Sequence, residues 1–322
     1  MTDRSSRILV AADSSNLIYQ AVFSSKKIWM KEYPEESSFM ENKWRTDQGN
    51  LPNLLNFQSF RRILSRKVQE SLESVLSVSR KFHQTEIDSA EGLDVFLVED
   101  SPVSGNFRKA LYPEYKQQRK AVLQEFDVWK SFEYARTVVF SEIGVVDKMG
   151  WHVVRIPECE SDDIISVLMS RYKDYMLRIL ISQDKDFLQI PGIFQYSPWG
   201  NRIEASVNVN SRGDKEIIDP KDLLLLKILM GDPSDNIRNV FPGYGKIKCL
   251  RLVKDRETLK KMLKEDGSAA NRFKLNKELI DFRRIPKEYI DRISKILDEE
   301  IGGIVEIKKT KLDDYMVIGE RR

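Results

Sequence analysis

Acidic residues recur along this chain at the ends of short apolar stretches, and this arrangement limits both the fold and the chemistry. The runs at 8–12, 94–98 and 177–182 have the length and apolar character of buried strands, and acids follow each of them. Segments of helical length separate the runs, so the pattern predicts an α/β fold with a mostly parallel sheet. Because the carboxyl ends of parallel strands lie along one edge of a sheet, we expect these acids to share a pocket.

The other elements follow from the spacing of apolar residues. A helical period predicts helices, and short apolar runs between turn residues predict strands. Residues 25–56 are polar and contain Pro34, Gly49 and Pro52, so we expect an irregular insertion or long loop there. The pattern predicts helices over 60–83, 126–150 and 162–175, strands over 151–156 and 194–196, and a helical chain from Pro220 onward.

Composition is typical of a soluble globular protein. Of the 322 residues, 41% are hydrophobic and 32% are charged, and no apolar run approaches the roughly 20 residues that span a membrane. The N-terminus lacks a signal pattern and Cys159 and Cys249 lack metal-ligand spacing, so we expect a cytoplasmic protein, in the host cytoplasm if viral. His83 and His152 have no partners spaced for a catalytic triad, which leaves acids and lysines for any chemistry.

Five acidic clusters are the candidate metal ligands. Each alone is compatible with a helix cap or an Asx turn. Packed together, however, the carboxylates would repel one another unless a cation neutralised them, and magnesium or manganese prefers such oxygen ligands. The clusters are Asp13; Asp100; Glu160, Asp162 and Asp163; Asp184 and Asp186; and Asp232 and Asp235.

Two further motifs point to nucleic acid. Segment 104–125 interleaves cations with aromatic rings, which neutralise phosphates and stack on bases, although a solvated basic helix has the same composition. Segment 241–246 is a Pro-Gly-x-Gly hairpin between predicted helices, whose backbone can grip a phosphate without reading bases. The net charge of +3 is compatible with such a partner. The residues concerned are Arg108, Lys109, Tyr112, Tyr115, Lys116, Arg119, Lys120, Gly243, Gly245, Lys246 and Lys248.

Together these motifs resemble those of the 5′ nuclease family, over roughly residues 7 to 290. The family includes flap endonucleases, the 5′ nuclease domain of bacterial DNA polymerase I and phage 5′→3′ exonucleases of the phage ribonuclease H type, which this sequence resembles most. The motifs that carry the resemblance are Phe107-Arg108-x-x-x-Tyr112-x-x-Tyr115-Lys116-x-x-Arg119, Glu160-x-Asp162-Asp163, Asp184-x-Asp186 and Gly231-Asp232-x-x-Asp235-Asn236-Ile237.

The resemblance implies a PIN-like, resolvase-like α/β core over residues 1–215, which would include the insertion 25–56 and a helical arch over 104–130. A helix-three-turn-helix region would follow over 216–307, and a basic tail over 308–322. Two residues depart from the family pattern: Gln183 replaces the usual glycine before Asp184, and Tyr244 replaces a small aliphatic residue in the hairpin.

The resemblance also implies roles for the site residues. Lys116 and Arg108 would be catalytic, Tyr112 and Tyr115 would stack or pack, and Gly243 and Gly245 would hold duplex phosphates, often with K+. Two Mg2+ or Mn2+ ions would be bound, the first by Asp13, Asp100, Glu160, Asp162 and Asp163, and the second by Asp184, Asp186, Asp232 and Asp235.

The implied function is a divalent-metal-dependent 5′→3′ exonuclease and flap endonuclease. It would hydrolyse phosphodiester bonds at 5′ ends or single-strand/double-strand junctions of DNA, and RNA primers in RNA–DNA hybrid, during replication and lagging-strand primer removal. We expect the protein to be a monomer, to interact with a single-strand-binding or clamp protein, and not to bind a membrane. A PIN-type RNA endonuclease and a non-catalytic branched-DNA binder are the alternatives. Cleavage of RNA compared with cleavage of flap DNA would distinguish the RNA endonuclease, and a magnesium-dependent cleavage assay on a 5′ flap would distinguish the binder.

Overall fold

A five-stranded parallel sheet forms the centre of the computed structural model, which describes residues 4–39, 53–101, 106–117, 128–136, 150–208 and 215–302. The strand order is β3-β2-β1-β4-β5, and all four strand pairs are parallel, as predicted. A separate antiparallel ribbon pairs β6 with β7. The strands are β1 Arg7–Asp13, β2 Gly92–Val98, β3 His152–Val154, β4 Leu177–Ile181, β5 Phe194–Tyr196, β6 Ser206–Asn208 and β7 Lys215–Ile217.

Helices cover both faces of the sheet. Within the described ranges, no helix is both long and apolar enough to cross a membrane. The helices are α1 Ser14–Glu32, α2 Gln58–Ser89, α3 Phe107–Leu111, α4 Val128–Tyr134, α5 Ser161–Arg171, α6 Pro220–Met230, α7 Lys246–Lys254, α8 Arg256–Glu265, α9 Gly267–Ile280 and α10 Lys287–Gly302.

Strand β1 shows why its sequence is a continuous apolar run. Successive side chains of a strand point to opposite faces of the sheet. Ile8 and Val10 therefore pack in the core beneath α1 and α2, whereas Leu9 and Ala11 pack in the core with α5 and α10. Because both faces are buried, the strand cannot alternate apolar with polar residues.

The C-terminal helices contribute to three cores, which differs from the single helical region predicted over 216–307. Helices α6, α7, α8 and α9 share a core that contains Leu229 and Leu250, and α6 and α9 form another around Tyr115. Helix α10 instead returns to the sheet, where Ile293 and Leu297 are fully buried with residues of β1 and α5. Its apolar side covers a sheet face that α5 alone does not fill.

The prediction of an irregular insertion over 25–56 is wrong for the parts that the structure describes. Helix α1 continues to Glu32, residues 34–39 are helical, and a short 3-10 turn spans Leu54–Asn56. Trp29 explains the longer helix, because its ring is 2% exposed and its Nε1 donates to Glu36 Oε2 at 2.9 Å and Ser59 Oγ at 3.0 Å. Residues 40–52 lie outside the described residues, as do most of the helix predicted over 126–150 and the tail 308–322.

Candidate active site

Three loops at the carboxyl edge of the sheet present the first group of acids. Asp13 is the last residue of β1, and its Oδ1 accepts from Asn16 N at 3.1 Å, which caps α1. Asp100 follows β2, and its Oδ1 accepts from Ser161 N at 2.8 Å, which ties this loop to the start of α5 and hence to Asp162. Asp184 follows β4 and caps the 3-10 turn Lys185–Gln189. Strand ends thus bring together residues from distant parts of the chain, as the sequence predicts.

These four residues, Asp13, Asp100, Asp162 and Asp184, are called the edge carboxylates below, because Asp100 and Asp184 lie close enough to perturb Asp13 and Asp162. Burial and the neighbouring Asp100 raise the pKa of Asp13 from 3.8 to about 7, and Asp184 adds to this shift. Burial, Asp184 and Asp13 raise the pKa of Asp162 well above its ordinary value. Lys116 opposes both shifts but does not cancel them. The pocket therefore carries more negative charge than its surroundings stabilise.

A second carboxylate pocket adjoins the first. Its lining includes Glu160, Asp162, Asp186, Asp232 and Asp235, so Asp162 belongs to both pockets. This arrangement differs from the predicted ligand sets, because Asp184 lies with the edge carboxylates and Glu160 lies with Asp232 and Asp235.

A glycine allows the turn that brings Asp232 and Asp235 to this pocket. Gly231 has a φ of +65°, in the left-handed region that favours glycine. A Cβ at Gly231 would also collide with the carbonyl oxygens of Ile237 and Arg238. This is the physical reason for glycine in the Gly-Asp-x-x-Asp motif.

Lysine ammonium groups contact acids of the second pocket. Lys116 Nζ lies 2.6 Å from Glu160 Oε1, and Lys227 pairs with Asp186. Burial alone would raise the pKa of Glu160, but Lys116 and Arg108 outweigh it and lower that pKa below its ordinary value. Lys227 was missed in the sequence, although a lone lysine in the apolar run Leu223–Met230 is a visible signal.

The donor set fits a hard divalent cation by its chemistry, because every acid offers carboxylate oxygens and neighbouring carboxylates raise the pKa values of Asp13 and Asp162. Among the described residues, no three His, Cys, Asp or Glu side chains already form a group arranged to hold a metal ion.

Arg108 and Asp163 form a buried ion pair, which argues against their predicted roles as a catalytic residue and a metal ligand. Arg108 Nη1 and Nη2 donate to the two Asp163 oxygens at 2.8 and 2.7 Å, and Arg108 Nε donates to Leu279 O at 2.9 Å. Asp163 is 0% exposed and Arg108 is 3% exposed. The pair thus anchors α3 to α5 and α9 and positions the neighbouring Glu160 and Asp162.

Tyr115 also has a structural position rather than a base-stacking one. Its ring is buried among apolar residues of α6 and α9, and its hydroxyl donates to Glu160 Oε2 at 3.0 Å. Tyr112 and Lys109 are partly exposed on the segment from α3 to Lys116. Arg119 and Lys120 lie outside the described residues.

The glycine hairpin before α7 leaves its backbone accessible. Gly243 has a φ of +75°, and a Cβ built at Gly243 or Gly245 would meet no atom within 4 Å among the residues described. Gly245 is the N-cap of α7 and provides no side-chain cap, so the first-turn N–H groups of α7 have no partner within the helix, and Lys246 beside them is exposed. Lys248 Nζ lies 5.1 Å from the Tyr244 ring centroid, which places it against the hairpin.

Part of the chain is similar to known nucleases. Residues 54–210 match the model of the 5′-3′ exonuclease, N-terminal resolvase-like domain. A 5′-3′ exonuclease of Mycoplasmopsis pulmonis is 26% identical over 184 residues, which cover 56% of this chain and 58% of that protein. The chain therefore aligns with little more than half of this relative's length.

Two solved structures share the fold. The bacteriophage T5 5′-exonuclease with bound divalent zinc superposes with a TM-score of 0.54 at 16% identity, covering 91% of this chain and 99% of the phage protein. The bacteriophage T5 flap endonuclease, in a pseudo-enzyme-product complex with DNA and metal ions, gives a TM-score of 0.52 at 16% identity over 92% of this chain and 100% of the phage protein. The central parallel sheet with its flanking helices therefore has the PIN-like fold that the sequence predicts.

Proposed function

Because residues 54–210 match the model of the 5′-3′ exonuclease N-terminal, resolvase-like domain, we propose that this chain is a divalent-metal-dependent 5′ nuclease. It hydrolyses phosphodiester bonds at 5′ ends and at single-strand/double-strand junctions of DNA. RNA primers in RNA–DNA hybrid are further substrates. The protein acts in replication, in the removal of lagging-strand primers. A single-strand-binding or clamp protein is the partner class.

The observation that carries this proposal is the group of edge carboxylates at the carboxyl ends of β1, β2 and β4. The charges of Asp100 and Asp184 raise the pKa values of Asp13 and Asp162, so the ionised forms of these acids together favour a cation. Asp186, Asp232 and Asp235 supply oxygens for a second ion, with Asp162 between the two groups. Bound divalent ions supply an activated water and stabilise the leaving oxygen. Mg2+ or Mn2+ suits an all-oxygen donor set.

Lys116 is the residue best placed to meet the scissile phosphate. It has a φ of +54°, an uncommon conformation for a residue with a side chain, and its N donates to Asp235 O at 3.0 Å. Such strain persists where the surroundings enforce it, and it often marks a functional site. The Lys116 ammonium contacts Glu160 and perturbs Asp13 and Asp162, so it lies between the carboxylates of both pockets. We assign it to binding the phosphate and its developing negative charge.

The hairpin at Gly243 and Gly245 would hold a phosphate of adjoining duplex through backbone N–H groups and Lys246, with K+ as a further candidate ligand. Backbone contacts to phosphates position a duplex without reading its sequence. Substrate choice would then depend on the shape of the junction.

The test is product mapping on labelled 5′-flap, nicked and RNA-primed substrates, with magnesium and with EDTA. We expect magnesium-dependent products from the 5′ end of the DNA substrates. Cleavage of single-stranded RNA alone would favour a PIN-type RNA endonuclease instead. Binding to the flap without cleavage, at any Mg2+ or Mn2+ concentration, would show a non-catalytic binder.

Lys116→Ala separates catalysis from affinity. Because the proposed contact strengthens as charge develops on the phosphate, the single-turnover cleavage rate falls by about 10²-fold or more while the dissociation constant changes little. Lys173→Ala, at an exposed lysine between α5 and β4, is the matched control. A loss confined to the dissociation constant would contradict the role proposed for Lys116.

A further inference from the structure

A cluster of exposed rings and cations lies beyond β4, outside the carboxylate pockets. Trp199 is 66% exposed and Phe82 is 40% exposed. Phe82 stacks on Tyr196 with ring centroids 4.4 Å apart and planes 12° apart. Lys81 and Arg202 are exposed beside these rings. Trp199, Phe82, Tyr196, Lys81 and Arg202 are called the aromatic platform below.

The turn that carries Trp199 is rigidly built. Ser197 N donates to Asn201 O at 2.8 Å, and Gly200 N donates to Ser197 O at 2.9 Å. Gly200 has a φ of +78°, and a Cβ there would lie 3.5 Å from Lys81 Nζ and 3.7 Å from Phe82. The turn therefore packs on α2, and Trp199 is exposed on a fixed support rather than on a loose loop.

The cations of the platform are placed for an anionic, aromatic ligand. Lys81 Nζ lies 5.1 Å from the Phe82 ring centroid, and the Arg202 guanidinium lies 5.6 Å from that of Phe194. Neither cation is within ion-pair distance of a carboxylate in the described part of the chain. The neighbouring Glu86 approaches His83 Nδ1 at 3.8 Å instead. Exposed rings flanked by cations are the usual surface for single-stranded nucleic acid.

The platform lies at the same edge of the sheet as the edge carboxylates. Its turn follows β5, which pairs with β4, and Ser182 N donates to Tyr196 O at 3.0 Å. Gln195 of β5 donates from Nε2 to Asp184 O at 2.6 Å and to Ser182 O at 2.9 Å. The support of Trp199 and the loop of Asp184 are therefore one hydrogen-bonded unit.

We propose that the aromatic platform is a subsite for an unpaired nucleobase, which stacks on Trp199 while Lys81 and Arg202 contact the flanking phosphates. The subsite extends the proposed nuclease site, and its place in catalysis rests on that proposed function. A single strand that crosses the carboxyl edge of the sheet would meet the edge carboxylates and the platform in succession. The ligand class is single-stranded DNA or RNA without base preference, because every base has a face that stacks.

The test measures binding without turnover. Fluorescence anisotropy in EDTA follows a labelled oligothymidylate and a labelled 5′-flap duplex. Trp199→Ala should weaken oligothymidylate binding by about 5-fold or more, the scale for one stacked base, and Trp199→Phe should recover most of the affinity. Lys81→Glu should also weaken binding, with a smaller salt dependence. Met176→Ala, 40% exposed where the chain enters β4 at the opposite edge, is the matched control and should bind like the wild type.

Unchanged affinity of Trp199→Ala for both ligands, in a variant with wild-type thermal unfolding, would overturn the subsite and leave the platform to a protein partner. Equal losses in Trp199→Phe and Trp199→Ala would overturn stacking as the mode of binding. Because anisotropy is read without metal, the subsite is tested even if the chain cleaves nothing. Conversely, magnesium-dependent cleavage by the wild type would support the proposed nuclease function even if the platform binds no base.

Discussion

The two ends of the paired strands β1 and β2 hold buried acids in opposite environments. At the amino end, Asp94 is 3% exposed and accepts from Arg7 Nε at 2.9 Å and from the Tyr175 hydroxyl at 2.8 Å. At the carboxyl end, Asp13 is 7% exposed and accepts from Asn16 N, while Asp100 and Asp184 repel it. Asp94 and Asp13 are thus similarly buried, but Asp94 is neutralised by its partners whereas Asp13 is destabilised by neighbouring acids.

The difference teaches how to separate a structural acid from a functional one. A buried carboxylate that has a cation and hydroxyl donors contributes to the fold, because its desolvation is offset within the protein. Buried carboxylates that face one another are costly, and such arrangements concentrate at ligand and catalytic sites. Each prediction below tests this contrast, beginning with the largest expected effect.

Asp162→Asn should have the largest effect, on cleavage. It removes one charge shared by both carboxylate pockets, so we expect the magnesium-dependent cleavage rate on a 5′ flap to fall on the order of 10²–10³-fold. Flap binding in EDTA should persist, because mutual repulsion among the acids is reduced. Asp174→Asn, at a surface acid that contacts Arg4 at 3.1 Å, is the control. Wild-type rates for Asp162→Asn would remove this residue from the proposed metal site.

Arg108→Ala should mainly destabilise the fold. It leaves Asp163 as an uncompensated charge at 0% exposure, and breaking a buried pair in this way costs about 3–5 kcal/mol. Urea unfolding measures this loss, with Arg66→Ala at a 57% exposed side chain as the control. An unchanged free energy of unfolding together with a lost cleavage rate would instead support a direct catalytic role for Arg108.

Asp94→Asn should reduce stability by about 1.5–3 kcal/mol, the scale of hydrogen bonds to charged groups, and leave cleavage per folded molecule unchanged. Burial and Asp94 raise the pKa of Tyr175, so its hydroxyl remains a donor at neutral pH. Glu91→Gln, at an exposed acid near the same end of β2, is the comparison variant. A cleavage defect at constant stability would contradict the distinction between the two ends of β1.

The pH dependence of stability should reveal the raised pKa of Asp13. Its pKa is 3.8 ordinarily and about 7 in the folded protein, so the folded state binds more protons between these values. Stability of the metal-free protein should therefore fall as the pH rises from about 4 to 7 and level off above. Thermal unfolding in EDTA measures this, and Asp13→Asn should flatten the profile. Magnesium at pH 8 should restore stability by binding the folded state. A metal-free profile that rises over this window would contradict the pKa shift.

Local pattern was enough to predict the central sheet and the acids at its edge. A strand end is a local property, so the positions of Asp13, Asp100 and Asp184 followed from where apolar runs stop. The length of α1 did not follow, because the pairing of Trp29 with Glu36 and Ser59 joins separate segments. Lys227 stands out in the sequence as a lone lysine in an apolar run, but its role did not follow from that, since its partner Asp186 lies on another element.

The adjacent acids Asp162 and Asp163 show what the sequence determines and what depends on the tertiary structure. The sequence alone determined the parallel α/β core, the edge where the carboxylates collect and the glycine turns, because each depends on period, strand ends or backbone freedom. Only the tertiary structure decided that Asp162 lines the pockets while Asp163 pairs with Arg108 in the interior. Neighbouring residues of a helix point about 100° apart, and what each one meets depends on elements that pack there from elsewhere in the chain.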